Sequence, residues 1–345
     1  MYIIKKKCVK AFNGDLMARI YHESDADLNV LKGKKVAVIG FGSQGKAQAL
    51  CLHDSGLDVT VGVRKDGKSW VDAEKNGLKV DTVAGAVKGA DVVMVLIPDE
   101  VQGDVYTAEI EPNLKDGAAL EFAHGFAITF GTIKPPKTVD VIMMAPKAPG
   151  PMERKVFLEG FGVPALIAVH QDHTGKAKSI ALALAKGLGS TKAGVLETDF
   201  REEATSDLFG EQAVLCGGVT ALINAGFQTL VKRGYQPEIA YFECLHEVKL
   251  IVDLIYSGGM MNMWRSVSNT AEFGGLTTRD LVINEESKAA MEKMLDRICS
   301  GEFAKEWLDD ARNGMPRMRS LEKAEGESQV EKVGTEIRAL FESKK

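Results

Sequence analysis

The sequence lacks a strong excess of charge of either sign. Its 43 basic residues are balanced by 48 acidic ones, which gives a formal net charge of −5. A protein that binds nucleic acid or an anionic membrane through electrostatics carries a basic patch or an overall basic charge. We therefore expect neither nucleic acid nor a membrane among the partners of this chain.

Paired cysteines and long apolar runs are also missing. The five cysteines include no CxxC pair, so the sequence indicates neither a zinc site nor a disulfide framework. This cysteine usage fits a reducing cytosol, and we expect a cytoplasmic protein, although the short basic start of the chain leaves organellar targeting open. No uninterrupted apolar run reaches the roughly 18 residues that a membrane-spanning helix needs.

Two kinds of pattern divide the chain. Short β-branched runs alternate with helical patterns up to residue 198, which is typical of a parallel sheet covered by helices on both faces. From residue 199 onward the periodicity is helical, and the charged tail at 322–345 has the pattern of one exposed helix. We predict a leader at 1–17, an α/β domain at 18–198 and an all-α domain at 199–345. The expected strands are 34–40, 57–63, 90–98, 117–125, 139–147 and 164–170.

A glycine motif lies between the first expected strand and a helical pattern. Gly40, Gly42 and Gly45 form GxGxxG, in which glycines permit a tight turn and the following helix N-terminus faces a pyrophosphate. In this context the motif predicts a Rossmann-type dinucleotide site rather than a structural glycine-rich turn.

The residues after the second strand bear on the choice of coenzyme. Arg64, Lys65, Lys68 and Ser69 offer partners for a 2′-phosphate and favour NADPH, whereas Asp66 could hydrogen-bond the ribose hydroxyls of NADH. A solvated basic loop without a ligand would have the same composition. NADPH is our first expectation, and NADH is the alternative.

Polar side chains are expected at the carboxyl ends of the strands, where ligands bind in open α/β sheets. The segment 98–102, His124 and Lys147 fall at such positions. Since His124 follows a strand and precedes a glycine, we expect it to face the nicotinamide end of the cleft.

Two pairs of carboxylates interrupt apolar helical patterns. Asp207 and Glu211 are four residues apart, as are Glu243 and Glu247, so each pair lies on one helix face. Buried carboxylates require neutralisation, and an all-oxygen ligand set suits Mg²⁺ or Mn²⁺. Pairing with lysine or arginine is one alternative. A di-iron site is another, because Glu243 and His246 have the Glu-x-x-His spacing, but such sites use that motif twice.

The segments "DLFGEQAVLCGG" and "AYFECLHEVKLIVDLIY" resemble those of short, class I ketol-acid reductoisomerases, also called acetohydroxy-acid isomeroreductases. The resemblance runs from "ARIYHESD" to "EKVGTEIRAL". It implies an α/β Rossmann-type domain, then a knotted all-α domain that carries metal, substrate and dimer contacts. It also implies an enzyme of valine, isoleucine and leucine biosynthesis. Such an enzyme isomerises 2-acetolactate or 2-aceto-2-hydroxybutyrate by alkyl migration and reduces the product with NADPH, using two Mg²⁺ ions.

The same resemblance implies roles for individual residues. Asp207 and Glu211 would be metal ligands from one subunit, and Glu243 and Glu247 from another, so that a homodimer is obligatory. Ser268 would contact the substrate. His124, Lys147 and Glu247 would be catalytic. The implied cofactor contacts are Gly40, Phe41, Gly42, Ser43, Gln44, Gly45, Arg64, Ser69, Asp99, Glu100, Val101, Gln102 and Gly150.

The sequence departs from this family pattern in two places. Asp66 and Gly67 stand where short forms commonly have glycine and a phosphate-binding serine, which weakens a 2′-phosphate site. The segment 273–282 differs from the family sequence after the substrate serine, which could shift the substrate. Two rival interpretations are a plain 3-hydroxyacid dehydrogenase, which would need no divalent metal, and a noncatalytic cofactor-binding paralogue.

Overall fold

The computed structural model describes residues 18–342, and the predicted leader, residues 1–17, lies outside the described residues. The chain divides into two compact units, with the boundary between Ser206 and Asp207. The sequence-based boundary is 198/199, whereas the boundary between the units falls within a helix. Unit 1 is the α/β part and unit 2 is the helical part.

Unit 1 is built on a nine-stranded sheet with strand order β1-β9-β8-β7-β6-β5-β2-β3-β4. Neighbouring strands are parallel except for the pairs β1/β9 and β7/β8. All six predicted strands are present, and three short ones were not predicted. The strands are β1 (Ile20–Tyr21), β2 (Lys35–Ile39), β3 (Asp58–Gly62), β4 (Lys79–Asp81), β5 (Val92–Val95), β6 (Ala119–Phe122), β7 (Asp140–Pro146), β8 (Ala165–Gln171) and β9 (Val195–Glu197).

Helices cover both faces of this sheet. In β2, Val36 and Val38 belong to one apolar cluster, while Ala37 and Ile39 belong to the other. Because successive side chains of a strand point to opposite faces, the two clusters are the two sides of the sheet. The helices are α1 (Ser43–Asp54), α2 (Lys68–Lys75), α3 (Val83–Val87), α4 (Asp99–Val105), α5 (Phe126–Thr129), α6 (Gly150–Leu158), α7 (Ala177–Gly187) and α8 (Ser190–Ala193).

The described part of unit 2 is helical, as predicted. Two π-helical turns, Glu211–Leu215 and Phe242–His246, interrupt its first helices. The next long helix is kinked at Gly259, whose φ is +80°. The first helix, α9 (Phe200–Gly210), spans the boundary between the units. The others are α10 (Gly217–Lys232), α11 (Pro237–Tyr241), α12 (Val248–Ser266), α13 (Asn269–Val282), α14 (Glu285–Ser300), α15 (Glu302–Arg312), α16 (Pro316–Gly326) and α17 (Gln329–Glu342).

The prediction of one exposed helix for the charged tail is wrong. The helix ends at Gly326, and a second helix, α17, begins at Gln329. Val330 and Ile337 of α17 are buried against Phe227 and Tyr241. These two apolar residues are seven apart and therefore share one helix face. The high charge of the tail conceals this narrow apolar stripe.

Unit 2 leaves many large apolar side chains in solvent. Tyr256 is 93% exposed, and Leu215, Met260, Phe273 and Leu281 are also exposed. Within residues 18–342, the continuous helical stretch Phe200–Lys232 is long and apolar enough to cross a membrane by length and composition alone. This differs from the expectation of no such segment. Only 6% of its most apolar window is buried within the chain.

Candidate active site

The dinucleotide cleft opens at the carboxyl ends of β2 and β3. It has a volume of about 640 Å³. Its floor is the glycine turn before α1, and its walls come from the ends of β3 and β5, from α2 and from α4. Six predicted cofactor residues line it, namely Gly40, Phe41, Gly42, Arg64, Ser69 and Val101.

Close backbone contacts explain two of the glycines. Gly40 has φ +100°, and a Cβ there would lie 2.5 Å from the carbonyl oxygen of Leu96. A Cβ on Gly150 would lie 2.0 Å from the carbonyl oxygen of Ser43, so α6 can approach the start of α1 only because Gly150 has no side chain. Its predicted contact with the cofactor stays a prediction.

Two predicted cofactor residues use their side chains to hold loops. Gln44 donates from Nε2 to the carbonyl of Ala148 at 2.8 Å. Gln102 is buried, and its Nε2 donates to the carbonyl of Ile97 at 2.8 Å and to Asp99 Oδ1 at 3.1 Å. These bonds fix the loops that follow β5 and β7. Of the remaining predicted contacts, Ser43 and Gly45 begin α1, while Asp99 and Glu100 begin α4.

The loop after β3 contains the residues that bear on coenzyme choice. Asp66 is exposed and has φ +58°, the left-handed region that non-glycine residues rarely adopt. Gly67 caps α2. Lys46, at the start of α1, forms an ion pair with Asp72 of α2 at 2.8 Å. That pair ties the glycine turn to the helix that follows the coenzyme loop.

Glu203 of α9 joins the two predicted catalytic residues of unit 1. Its Oε2 lies 3.0 Å from His124 Nδ1 and accepts from the backbone N–H of Gly125 at 2.8 Å. Its Oε1 accepts from Lys147 Nζ at 2.9 Å. The Glu203 side chain is only 1% exposed, whereas His124 and Lys147 are partly exposed. A buried carboxylate therefore positions two side chains that reach the solvent.

The electrostatics of this cluster fix the orientation of the imidazole. Burial would raise the pKa of Glu203, but hydrogen bonds and charge from His124 and Lys147 outweigh it and lower the pKa to about 2. The ionised carboxylate can only accept a hydrogen bond, so Nδ1 of His124 must carry the proton. Nε2 is then the nitrogen suited to proton exchange with a ligand. Glu203 was not predicted as a site residue from the sequence.

The predicted metal ligands lie at the π-helical turns of unit 2. Asp207 is half-buried in the last turn of α9, and Glu211 is the first residue of the first π turn. Glu243 lies in the second π turn, and Glu247 follows it. A π turn is a rare local insertion in an α-helix. Such turns are frequent at functional sites.

The expectation that these acids are buried is wrong for the single chain. Glu211, Glu243 and Glu247 are exposed, and so are apolar residues of the same helical segments, such as Leu215 and Leu250. Glu243 and Glu247 form no hydrogen bond or ion pair with another described side chain. Among the described residues, neither belongs to a group of three acidic, histidine or cysteine ligand atoms close enough to share one ion.

Ser268, the predicted substrate contact, has a structural role in the described chain. Its Oγ accepts from the backbone N–H of Ala271 at 3.2 Å and caps α13. The divergent segment 273–282 forms the rest of that helix. A change there therefore alters the exposed surface of α13, on which Phe273 and Leu281 lie.

Comparison with known proteins matches both halves of the chain to one family. Residues 30–194 match the acetohydroxy acid isomeroreductase NADPH-binding domain, and residues 200–343 match the ketol-acid reductoisomerase C-terminal domain. The chain belongs to the ketol-acid reductoisomerase family. It is therefore an enzyme of branched-chain amino-acid biosynthesis with an NAD(P)H-binding domain, and the 3-hydroxyacid dehydrogenase interpretation is wrong.

A solved structure of a ketol-acid reductoisomerase supports the assignment of this chain to the family. An NADH-preferring ketol-acid reductoisomerase from an uncultured archean is 50% identical, with a TM-score of 0.90, over 94% of this chain and 99% of that one. Two more distant structures share the fold alone. A putative oxidoreductase from Jannaschia sp. is 16% identical over 77% of this chain and 97% of its own, with a TM-score of 0.58. A semialdehyde dehydrogenase NAD-binding protein from Cupriavidus necator is 21% identical over 77% of this chain and 99% of its own, with a TM-score of 0.53.

Proposed function

We propose that this reductoisomerase converts 2-acetolactate or 2-aceto-2-hydroxybutyrate into the corresponding 2,3-dihydroxy-3-methyl acid, in a reaction that depends on Mg²⁺. An alkyl group moves from the hydroxyl-bearing carbon to the adjacent carbonyl carbon, and the ketone so formed is reduced by hydride. The observation that carries the proposal is the presence, in one chain, of a dinucleotide cleft and both carboxylate pairs of the family.

The donor atoms of unit 2 fit magnesium. Asp207, Glu211, Glu243 and Glu247 offer only carboxylate oxygens, which are the ligands that hard divalent cations prefer. Glu243 and Glu247 are exposed and have no basic partner among the described side chains. Two Mg²⁺ ions held by these residues would polarise the substrate hydroxyl and its neighbouring carbonyl.

The residues of unit 1 would handle protons and charge. Because Glu203 fixes the proton on Nδ1, His124 can exchange a proton with the substrate through Nε2. Lys147, bonded to Glu203 Oε1, would place a positive charge near the oxygens that become negative during the reaction. Glu247 is the carboxylate that we propose for the second proton transfer.

We propose that the coenzyme cleft accepts both NADPH and NADH. Arg64, Lys68 and Ser69 line the cleft and could bind a 2′-phosphate. Asp66, in the loop between them, would repel that phosphate and could bind the ribose hydroxyls of NADH instead. The preference of the archaeal relative for NADH supports the second possibility.

A homodimer would cover the apolar surface of unit 2. Exposed apolar patches of this kind mark protein–protein contacts in soluble proteins, and a self-complementary pair is the commonest arrangement. We propose that Asp207 and Glu211 of one subunit join Glu243 and Glu247 of a second subunit in one site. The low burial of Phe200–Lys232 within the chain supports a protein partner for that stretch.

The first test is oxidation of NADPH and of NADH on addition of 2-acetolactate, with Mg²⁺ and with EDTA. We expect turnover that requires the metal. A Glu247→Gln variant should bind the coenzyme normally and turn over far more slowly. Coenzyme binding without turnover of 2-acetolactate or of 2-aceto-2-hydroxybutyrate, each assayed at saturating Mg²⁺, would contradict the proposed reaction.

A mixing experiment tests the shared site. Asp207→Asn and Glu247→Gln are each expected to be inactive. If the ligands come from two subunits, a co-expressed mixture of the two variants contains hybrid dimers with one intact site, and about a quarter of the wild-type activity returns. If each chain holds its own complete set of ligands, the mixture stays inactive.

A further inference from the structure

One end of the dinucleotide cleft has an apolar wall that suits a flat base. The glycine turn at Gly40 marks the pyrophosphate, and the end of β3 at Arg64 marks the adenosine ribose. The lining of the cleft also includes four valines, Val63, Val83, Val101 and Val105. Val63 and Val83 are buried, so this part of the cleft offers apolar surface to the faces of the adenine ring.

Glu109 lines the same cleft, on a turn that packs against α3, the helix that begins at Val83. It is half-buried on the π-helical turn Tyr106–Ile110, which follows α4. Two of the described lining residues, Arg64 and Lys68, are cationic. Glu109 is the one described lining residue with a carboxylate. That carboxylate forms no hydrogen bond or ion pair with any described residue.

The backbone around Glu109 is held in place. Its carbonyl oxygen accepts from Asn113 Nδ2 at 2.9 Å, and its neighbours Tyr106 and Ile110 are buried in the apolar core of the sheet. A carboxylate on a fixed turn beside the apolar lining of the cleft can form a hydrogen bond with the polar edge of a base, while the apolar side chains contact its faces.

We propose that Glu109 accepts a hydrogen bond from the exocyclic N6 amino group of the coenzyme's adenine and makes the cleft selective for that base. A carboxylate can only accept. Adenine presents a donor at C6, whereas hypoxanthine presents a carbonyl oxygen there, which the carboxylate repels. The inference rests on the coenzyme assignment of the cleft and not on the identity of the substrate.

The test compares the more tightly bound of NADH and NADPH with its deamino analogue, which carries hypoxanthine. Dissociation constants are measured by the fluorescence of the reduced nicotinamide, without substrate or metal. We expect the wild-type chain to bind the adenine coenzyme about tenfold more tightly, the effect of one hydrogen bond to a charged group. Glu109→Gln should bring the ratio close to one, because an amide can donate to the hypoxanthine oxygen.

Glu111→Gln is the matched control. Glu111 is exposed on the next turn and does not line the cleft, so its loss removes the same charge nearby and should leave the ratio unchanged. The inference would be overturned if the wild-type chain bound the two coenzymes with equal affinity, or if Glu109→Gln weakened the binding of both by the same factor. Either result would leave the assignment of the cleft as a coenzyme site unchanged. Failure to bind either coenzyme would overturn both assignments.

Discussion

The buried carboxyl group of Glu153 makes the stability of unit 1 depend on pH. Glu153 lies on α6, is 1% exposed, and neither of its carboxyl oxygens has a hydrogen-bond partner in the described chain. Burial raises its pKa from 4.5 to about 8. Glu121 of β6 is also fully buried, and burial, together with the charge of Glu153, raises its pKa well above the ordinary value despite a hydrogen bond from the backbone N–H of Met144.

The direction of the effect follows from proton binding. Between pH 4.5 and about 8 the folded chain keeps a proton on Glu153 that the unfolded chain has lost. The free energy of unfolding therefore falls as the pH rises, by about 1.4 kcal/mol per pH unit. From pH 5 to pH 7 this one group should remove about 3 kcal/mol of stability. A Glu153→Gln variant cannot ionise, so its stability lacks this slope.

Urea unfolding of the wild-type chain and of Glu153→Gln at pH 5, 6, 7 and 8, at one protein concentration, measures the slope. The two proteins should be similarly stable at pH 5, and the variant should be increasingly more stable toward pH 8. Glu159→Gln is the control, because Glu159 is exposed just after the same helix. Parallel curves for the wild-type chain and Glu153→Gln would refute the reasoning.

Three further predictions concern the site. Glu203→Gln should lower turnover and cost about 3 kcal/mol of stability at pH 7; this contribution is present above pH 4.5 and is lost as the pH falls toward 2. The exposed neighbour variant Glu202→Gln should do neither, and an active Glu203→Gln enzyme would contradict the positioning role. Asp66→Ser should raise kcat/KM for NADPH relative to NADH by about tenfold, and an unchanged ratio would exclude Asp66 from coenzyme choice. Mg²⁺ should raise the melting temperature of the wild-type chain and not of Glu243→Gln; equal shifts would place the ion elsewhere.

The sheet could be predicted from the sequence because its central strands are continuous apolar runs. β5, β6 and β7 are buried on both faces, and such runs stand out against polar loops. β1, β4 and β9 have two or three residues, which is too few to establish a period. The antiparallel direction of β8 against β7 is also absent from the pattern, because a strand buried on both faces has the same composition in either direction.

Different parts of the site were predictable to different degrees. The glycine turn is a local motif, so its sequence is sufficient evidence. Glu203 acts on His124 and Lys147, which are 79 and 56 residues away, and its acidic neighbours at the start of α9 suggest an ordinary exposed helix N-terminus. The spacing of the acidic residues could have revealed Glu203. Glu203, Asp207 and Glu211 follow one another at intervals of four residues, so their carboxylates lie on one helix face.

The apolar helices of unit 2 mark the limit of periodicity as evidence. Apart from Asp207 and Glu211, the segment that contains them has the apolar pattern of a buried helix, yet Val214 and Leu215, three and four residues after Glu211, are exposed in the single chain. A hydrophobic pattern indicates that a helix face is buried in the assembled protein, but it does not distinguish burial within the chain from burial against a partner. Glu243 and Glu247 have no hydrogen-bond or ion-pair partner among the described side chains, and the helix that follows them, α12, leaves apolar side chains such as Tyr256 exposed. A second subunit that supplies its own carboxylates would account for both, which is why the mixing experiment bears on the fold as well as on the chemistry.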